Sequence, residues 1–459
     1  MRSSRREFFK HSAAAGAVAS VPFAWAGSHA RGQDVNSRPS VAAIGVGGSR
    51  GAYSQGRAIA MRAAQHARMI AVCDADVIHM GEFNAHFDNK LAMYPDYRQL
   101  LEREKPDIVT IGTPDHWHVP IAVAALRAGC DVYCEKPLTL TIEEGFRIRD
   151  AVKETGRVFQ VGTQQRSEND ARFLQAIAIA KSGRLGKKVN AYAAIGGGTV
   201  GGPFPAAPAP VGLHWDTWLG PAQKADYSTE RQKEFRWYYD YSGGKMTDWG
   251  AHHIDIAQWA LGHDRSGPVK ISGTGKFTPI VPDHFDWNAY LAGQASLPNG
   301  YHTPSQFSID LEFADGSVLN VCDNYHREEG NISFPNGILL EGEEGRIYVN
   351  RERLTGKPVE DMTTAEKQDL QDQVVKLYDG QPGDHMRNFF DAVKSRGVPI
   401  SDVESHHRTM TSCHLANIAL MVGRDLKWDP EKEQFNGDEQ ATMLMSRPRR
   451  DKYSWEATT

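Results

Sequence analysis

Three side chains stand where their types and spacing could do acid–base chemistry. Lys136 follows the apolar run 131–134 in "DVYCEKPLTL" and is held between Glu135 and Pro137. Asp248 and His252 lie four apart in "GGKMTDWGAHHIDIAQWALG" (243–262), so on a helix they share one face. A carboxylate beside an imidazole fixes its tautomer and raises its basicity, as a proton shuttle requires. A lysine at a strand end can hydrogen-bond a hydroxyl and help to remove its proton. The plainer uses are an Asp/His surface ion pair or helix cap and a Lys136–Glu135 pair, so the surrounding elements must decide.

Those elements begin with "GVGGSRG", Gly45 to Gly51, after the apolar run "VAAIGV". Gly45 and Gly47 fit the first two positions of G-x-G-x-x-G; the third falls on Arg50, and Gly51 stands one place late. Such a turn lets backbone N–H groups approach a pyrophosphate at a helix start. The next apolar run ends on Asp74, an acid placed to accept ribose hydroxyls and repel a 2′-phosphate. NAD is therefore favoured over NADP, although Arg50 could reach a phosphate. "TPDHWH" follows the run "DIVTIG" and brings Thr113, Pro114 and His118 to the end of a strand, where ligands of such sheets bind.

From Val41 to about Thr163 short apolar runs alternate with helical segments, two of which stop at glycine. Such alternation predicts a parallel, doubly wound sheet with both faces covered. Beyond it the texture changes to "VKISGTGKF", "FSIDLEFADGSVLNVCDNY" and "NGILLEGEEGRIYVN", with turn signals at "ADGS" and "EEGR". The expected fold is α/β: an N-terminal Rossmann domain (36–162) and a C-terminal α+β domain (163–459) with a large, mostly antiparallel, open-faced sheet. "GGGTVGGPFPAAPAPVG" (196–212) reads as loop.

Residues 1–35 are set apart. "SRREFFK" followed by an alanine-rich apolar run ending near Ala24 and Ala26 has the form of a twin-arginine export signal. The expectation is a periplasmic protein, handed to the twin-arginine export machinery, with no membrane span after processing. A net charge of −5 and the absence of a basic stripe argue against nucleic acid. The five cysteines form no pairing pattern, and no metal-ligand frame is evident, so no metal is expected.

Taken together, the glycine turn, Asp74, "TPDHWH", "EKP" and the later "GG…DxGxH" resemble the glucose–fructose oxidoreductase/inositol dehydrogenase/MocA family across essentially the whole chain after residue 35. The resemblance implies an NAD-dependent oxidoreductase working at a secondary alcohol of a sugar, cyclitol or glycoside, with a tightly held cofactor and a homo-oligomeric state. A redox-neutral glycosidase or lyase acting through a transient keto-sugar, or a sugar-binding protein without catalysis, are the alternatives. It also implies that Lys136, Asp248 and His252 are catalytic, and that Gly45, Gly47, Gly51, Asp74, Thr113, Pro114, His118, Glu135 and Lys136 meet the cofactor. For the carbohydrate, Trp237, Tyr238 and Tyr239 offer aromatic faces, and Gln164 and Arg166 offer polar contacts.

Overall fold

The apolar runs of the first half become six parallel strands: β1 (Ser40–Ile44), β2 (Arg68–Cys73), β3 (Ala92–Tyr94), β4 (Ile108–Ile111), β5 (Asp131–Cys134) and β6 (Phe159–Val161). They come from a computed structural model that describes residues 38–52 and 54–458. The expected export signal at 1–35 lies outside the described residues. The sheet order is β3-β2-β1-β4-β5-β6, and β4, β5 and β6 are buried along their whole length. Strands covered on both faces can carry apolar side chains at every position, which is why these runs do not alternate. The helices between them start on short polar caps: Asp76 on Val77–Ala85, Asp96 on Tyr97–Glu104 and Thr141 on Ile142–Thr155 each accept a backbone N–H. Gly156, at φ 62°, closes the last of these.

The second sheet is mixed and nine-stranded. Its members are β7 (Val189–Ala194), β8 (Lys270–Lys276), β9 (Gln306–Glu312), β10 (Val318–Cys322), β13 (Gly337–Gly342), β14 (Gly345–Val349), β15 (Leu354–Thr355), β16 (Leu426–Asp429) and β17 (Gln434–Phe435); β11 (Tyr325–Arg327) and β12 (Ile332–Phe334) form a separate hairpin. Within the order β15-β14-β13-β7-β10-β9-β8-β16-β17 the β7–β10 pair is parallel and the others are antiparallel. The expected turns at "ADGS" and "EEGR" join β9 to β10 and β13 to β14.

Alternation along β9 buries Phe307, Ile309 and Leu311 and exposes Ser308, Asp310 and Glu312. The apolar face packs on the helices Arg172–Lys181, Gly250–Ala260 and Val403–Val422, whose Phe173, Ile254 and Ile418 join Ile309 in one core. Tyr325 and Phe334 of the small hairpin cover part of the other face, over Tyr192 and Tyr348. No helix among the described residues is long and apolar enough to cross a membrane.

Candidate active site

Strand order reverses between β1 and β4, and the carboxyl ends of these strands open onto a cleft of about 360 Å³. Gly45, Gly47, Gly51, Asp74, Thr113 and Pro114 line one end; Glu135, Lys136, Gln164, Asp248 and His252 line the other.

At the first end the turn needs its glycines. Gly45 has φ 75° and Gly47 φ 60°, and a Cβ on Gly45 would sit 2.5 Å from the Thr113 backbone nitrogen. The third glycine of the motif, however, is not Gly51. The helix Gln55–His66 starts later than the motif spacing implies, and Gly56 brings it against β1: a Cβ there would lie 1.8 Å from the Gly45 carbonyl oxygen. Nothing in the spacing marks Gly56, because the longer turn moves the packing contact several residues downstream. The side chain of Ser54 makes no cap hydrogen bond on that helix, so it leaves the first N–H groups to other partners.

Asp74 accepts the N–H groups of Val46 at 2.9 Å and Gly47 at 3.1 Å through one oxygen, and that of Asp76 at 2.9 Å through the other. The acid thus braces the turn as well as bordering the cleft. Arg50 donates to the Val211 carbonyl oxygen at 2.9 Å and pairs with Asp76, so it serves the fold where it was considered for a phosphate. Its partner belongs to the Gly/Pro-rich segment 196–212, which returns to the end of β2: Val77 N–H donates to the Gly212 oxygen and His214 N–H to that of Ala75, both at 2.9 Å. Leu213 enters the cleft wall by this route. A glycine turn, an open helix N-terminus and an acid after β2 fit a dinucleotide.

His118 lines the cleft, but its ring nitrogens lie 2.7 Å from the Pro137 carbonyl oxygen and 2.8 Å from that of Thr113. It fastens the segment after β4 to the segment after β5 rather than reaching for a cofactor. Glu135 is buried and accepts from Gln55 at 3.2 Å and Gln164 at 2.9 Å. Burial pushes its carboxyl up to about 7, against the opposing charge of Lys136 and these hydrogen bonds. A folded pKa above the unfolded 4.5 means that this contribution to stability is complete below about pH 4.5 and is lost as pH rises through about 7. Glu135→Gln should therefore flatten the pH dependence of the melting temperature between about pH 5 and about pH 8. Thermal melts of both proteins across that range check it; parallel curves would refute it.

At the other end Lys136 donates to Asp248 twice, at 2.6 Å to the carboxylate and 3.1 Å to the backbone oxygen. Arg236 adds its guanidinium 3.5 Å from the same carboxylate. Burial favours the neutral acid, but the Lys136 and Arg236 charges outweigh it and hold the Asp248 carboxyl at about 2. The expected Asp248–His252 dyad is therefore not what forms. Asp248 points to full charges on other elements, and among the described hydrogen bonds none joins it to His252. Instead His252 is buried with its Nδ1 unpartnered. Burial, then Lys136 and Arg351, drives its pKa well below the usual range, so its ring is neutral.

The carbohydrate contacts are the least well anticipated. Tyr238 and Tyr239 are fully buried, the first bonded to Asn299 and the second to Asn417. Trp237 donates to Glu234 at 3.1 Å, and the ammonium of Lys245 lies 5.7 Å from its ring centre. Aromatic side chains with polar tips suit a satisfied core as well as a sugar platform, and here the core takes them. Arg166 is also buried, forked onto Asp255 at 2.6 and 2.7 Å, away from the cleft. Gln164 remains at the cleft. Arg236, Trp249 and Arg351 line it without having been anticipated. Arg236 sits next to Trp237 without a motif of its own, and Arg351 arrives on the loop after β14 with no local motif. All five cysteines are buried and unpaired, and no cluster among the described residues could hold a metal ion.

Comparison with known proteins places the fold. Levoglucosan dehydrogenase of Pseudarthrobacter phenanthrenivorans is 26% identical over 267 residues, 56% of this chain and 59% of that protein. D-glucoside 3-dehydrogenase of Escherichia coli is 25% identical over 263 residues, 55% of this chain and 66% of its own length. The chain thus spans less than two thirds of these relatives. Myo-inositol 2-dehydrogenase of Lactobacillus plantarum shares the fold, with a TM-score of 0.53 at 18% identity over 85% of this chain and 99% of that one. Residues 40–163 match the oxidoreductase family's NAD-binding Rossmann fold, and residues 201–277 and 302–455 match its C-terminal alpha/beta domain. With both halves of the fold matched over most of its length, this chain belongs to the Gfo/Idh/MocA family of NAD-binding oxidoreductases.

Proposed function

We propose that this protein is an NAD-dependent oxidoreductase acting at a secondary alcohol of a sugar, cyclitol or glycoside. The observation that carries the reading is the juxtaposition of the Lys136–Asp248 ion pair and the neutral His252 at the end of the cleft opposite the glycine turn. When bound, the dinucleotide supplies the redox chemistry. The chain's own part is to hold the substrate hydroxyl and move its proton. Lys136, kept in place by Asp248, donates a hydrogen bond to the hydroxyl oxygen and stabilises negative charge as it develops there. His252, uncharged, receives the proton. The carboxylate of Asp74 at the ribose end supports NAD over NADP, because a 2′-phosphate there would meet a like charge. The sugar-dehydrogenase names of the relatives support the substrate class.

Export through the twin-arginine route would remove the enzyme from a free NAD pool and favour a retained cofactor. Under that condition a redox-neutral cycle is the second form of the same chemistry. Transient oxidation of a glycoside carbon acidifies the neighbouring C–H, allows elimination of the glycosidic bond, and ends with the carbon reduced again. The protein should be purified without added nucleotide, denatured, and its released nucleotide quantified. A panel of sugars, cyclitols and glycosides should then be assayed for reduction of the nicotinamide and for cleavage. Stoichiometric NAD with turnover of any member supports the proposal. Absence of both redox and cleavage across the panel, with NAD or NADP supplied, would overturn it.

A further inference from the structure

The chemical end of the cleft carries more positive charge than its own residues neutralise. Asp248 is met by Lys136 at 2.6 Å and by Arg236 at 3.5 Å. Lys245 lies close enough that Lys136 and Arg236 depress its pKa, after burial, with Asp248 alone opposing them. A fourth cation, Arg351, stands over the Trp249 ring at 4.8 Å. Oriented to satisfy both neighbours, the Gln165 amide accepts from Arg351 Nε at 3.2 Å and donates to the His252 backbone oxygen at 3.3 Å. The guanidinium is thereby tied to the same turn of helix as His252. No carboxylate among the described residues forms an ion pair with it.

The nearby acids offset this charge only in part. Burial raises the carboxyls of both Glu135 and Asp115, the latter hydrogen-bonded by Ser242. Glu168 is engaged with Arg62 at 2.6 Å, and Glu234, which accepts from the uncharged Trp237 indole, does not line the cleft. The phosphates of a dinucleotide belong to the glycine turn, at the other end of the cleft. The ring faces that could have stacked on a sugar are also taken: Lys245 lies 5.7 Å from the Trp237 centre and 5.9 Å from that of Trp249. Cations gathered in a partly desolvated site cost free energy unless an anion joins them. An arginine held by its Nε can offer its remaining N–H groups as a fork to a carboxylate or phosphate.

We propose that the substrate of this site is an anionic sugar whose carboxylate or phosphate is received by Arg351, with Arg236 lining the same cleft, turning a ring hydroxyl toward Lys136 and His252. The proposal rests on the sugar-oxidoreductase reading above and narrows it. It also relieves a mismatch in that chemistry: an anion against Arg351 offsets one of the charges that depress His252 and makes the imidazole a better proton acceptor.

The test uses purified protein loaded with NAD and matched probes: methyl hexosides, the corresponding methyl hexuronosides and hexose phosphates, in the gluco, galacto and manno series. Calorimetry reads binding and nicotinamide absorbance reads oxidation. The expected result is that an anionic member of a series binds about tenfold or more tightly than its neutral counterpart at low ionic strength. Arg351→Gln should erase this preference and leave NAD affinity unchanged. Whether the uronoside or the phosphate is preferred distinguishes the two anions. Neutral hexosides bound and oxidised as well as the anionic ones would overturn the proposal and leave the sugar reading intact, as would a preference unaltered in Arg351→Gln. Failure of every probe to bind or react would overturn both.

Discussion

Lys136→Met is expected to lower turnover by about three orders of magnitude while leaving the bound nucleotide in place. The substitution keeps an unbranched chain of similar length but removes the ammonium that reaches Asp248 at 2.6 Å. Among the described residues no other cation lies within 3 Å of that carboxylate. Arg236 also addresses that carboxylate, from 3.5 Å, so the buried acid keeps a counter-charge and the fold should survive. What disappears is the donor that would stabilise negative charge on the substrate oxygen. The glycine turn and Asp74, at the other end of the cleft, are untouched. Single-turnover reduction of bound nicotinamide reads the first effect, and nucleotide released on denaturation reads the second. Turnover near that of the unsubstituted protein would sink the proposed mechanism. Loss of nucleotide together with turnover would move Lys136 from chemistry to cofactor binding.

The largest expected effect on the fold comes from one methyl group. Gly56→Ala would put a Cβ 1.8 Å from the Gly45 carbonyl oxygen and 3.1 Å from that of Gly112. Both neighbours are backbone, and Gly112 is itself hemmed in, since a Cβ on it would lie 2.3 Å from Gly56 Cα. No rotamer change relieves the contact, so the helix Gln55–His66 must move away from β1. Overpacking that forces backbone to shift costs about 3 kcal/mol or more. It also carries the helix N-terminus away from the glycine turn, so nucleotide affinity should fall with stability. Urea unfolding and nucleotide content measure the two consequences. Gly81→Ala is the control: it lies in the helix Val77–Ala85 with nothing within 4 Å of its Cβ, and should be neutral or stabilise by up to about 1 kcal/mol. Equal behaviour of the two variants would refute the packing role of Gly56.

The order of elements was legible in the chain because it is written in local patterns. Short, mostly apolar runs bounded by turn residues fit strands covered on both faces, and β4 and β5 are such strands. The alternation in "FSIDLEF" can only be a strand with one wet face, as β9 is. Gly45 and Gly47 announced the turn because positive φ and close approach exclude other residues. Lys136 was legible for a related reason: a charge directly after a buried strand stands at the carboxyl edge, where the cleft opens.

What the chain did not disclose are the relations between distant segments. Lys136 and Asp248 are 112 residues apart, and their pairing, in place of the Asp248–His252 pair that helical spacing suggested, follows from how distant segments pack together. Arg351, on a hairpin loop, is linked to the backbone of His252 through Gln165, while Tyr238, Tyr239 and Arg166 turn into the core. Side-chain type and spacing define what a residue can do along its own element. Which face of that element becomes cleft and which becomes core is decided by the surfaces that pack against it, and those come from elsewhere in the sequence.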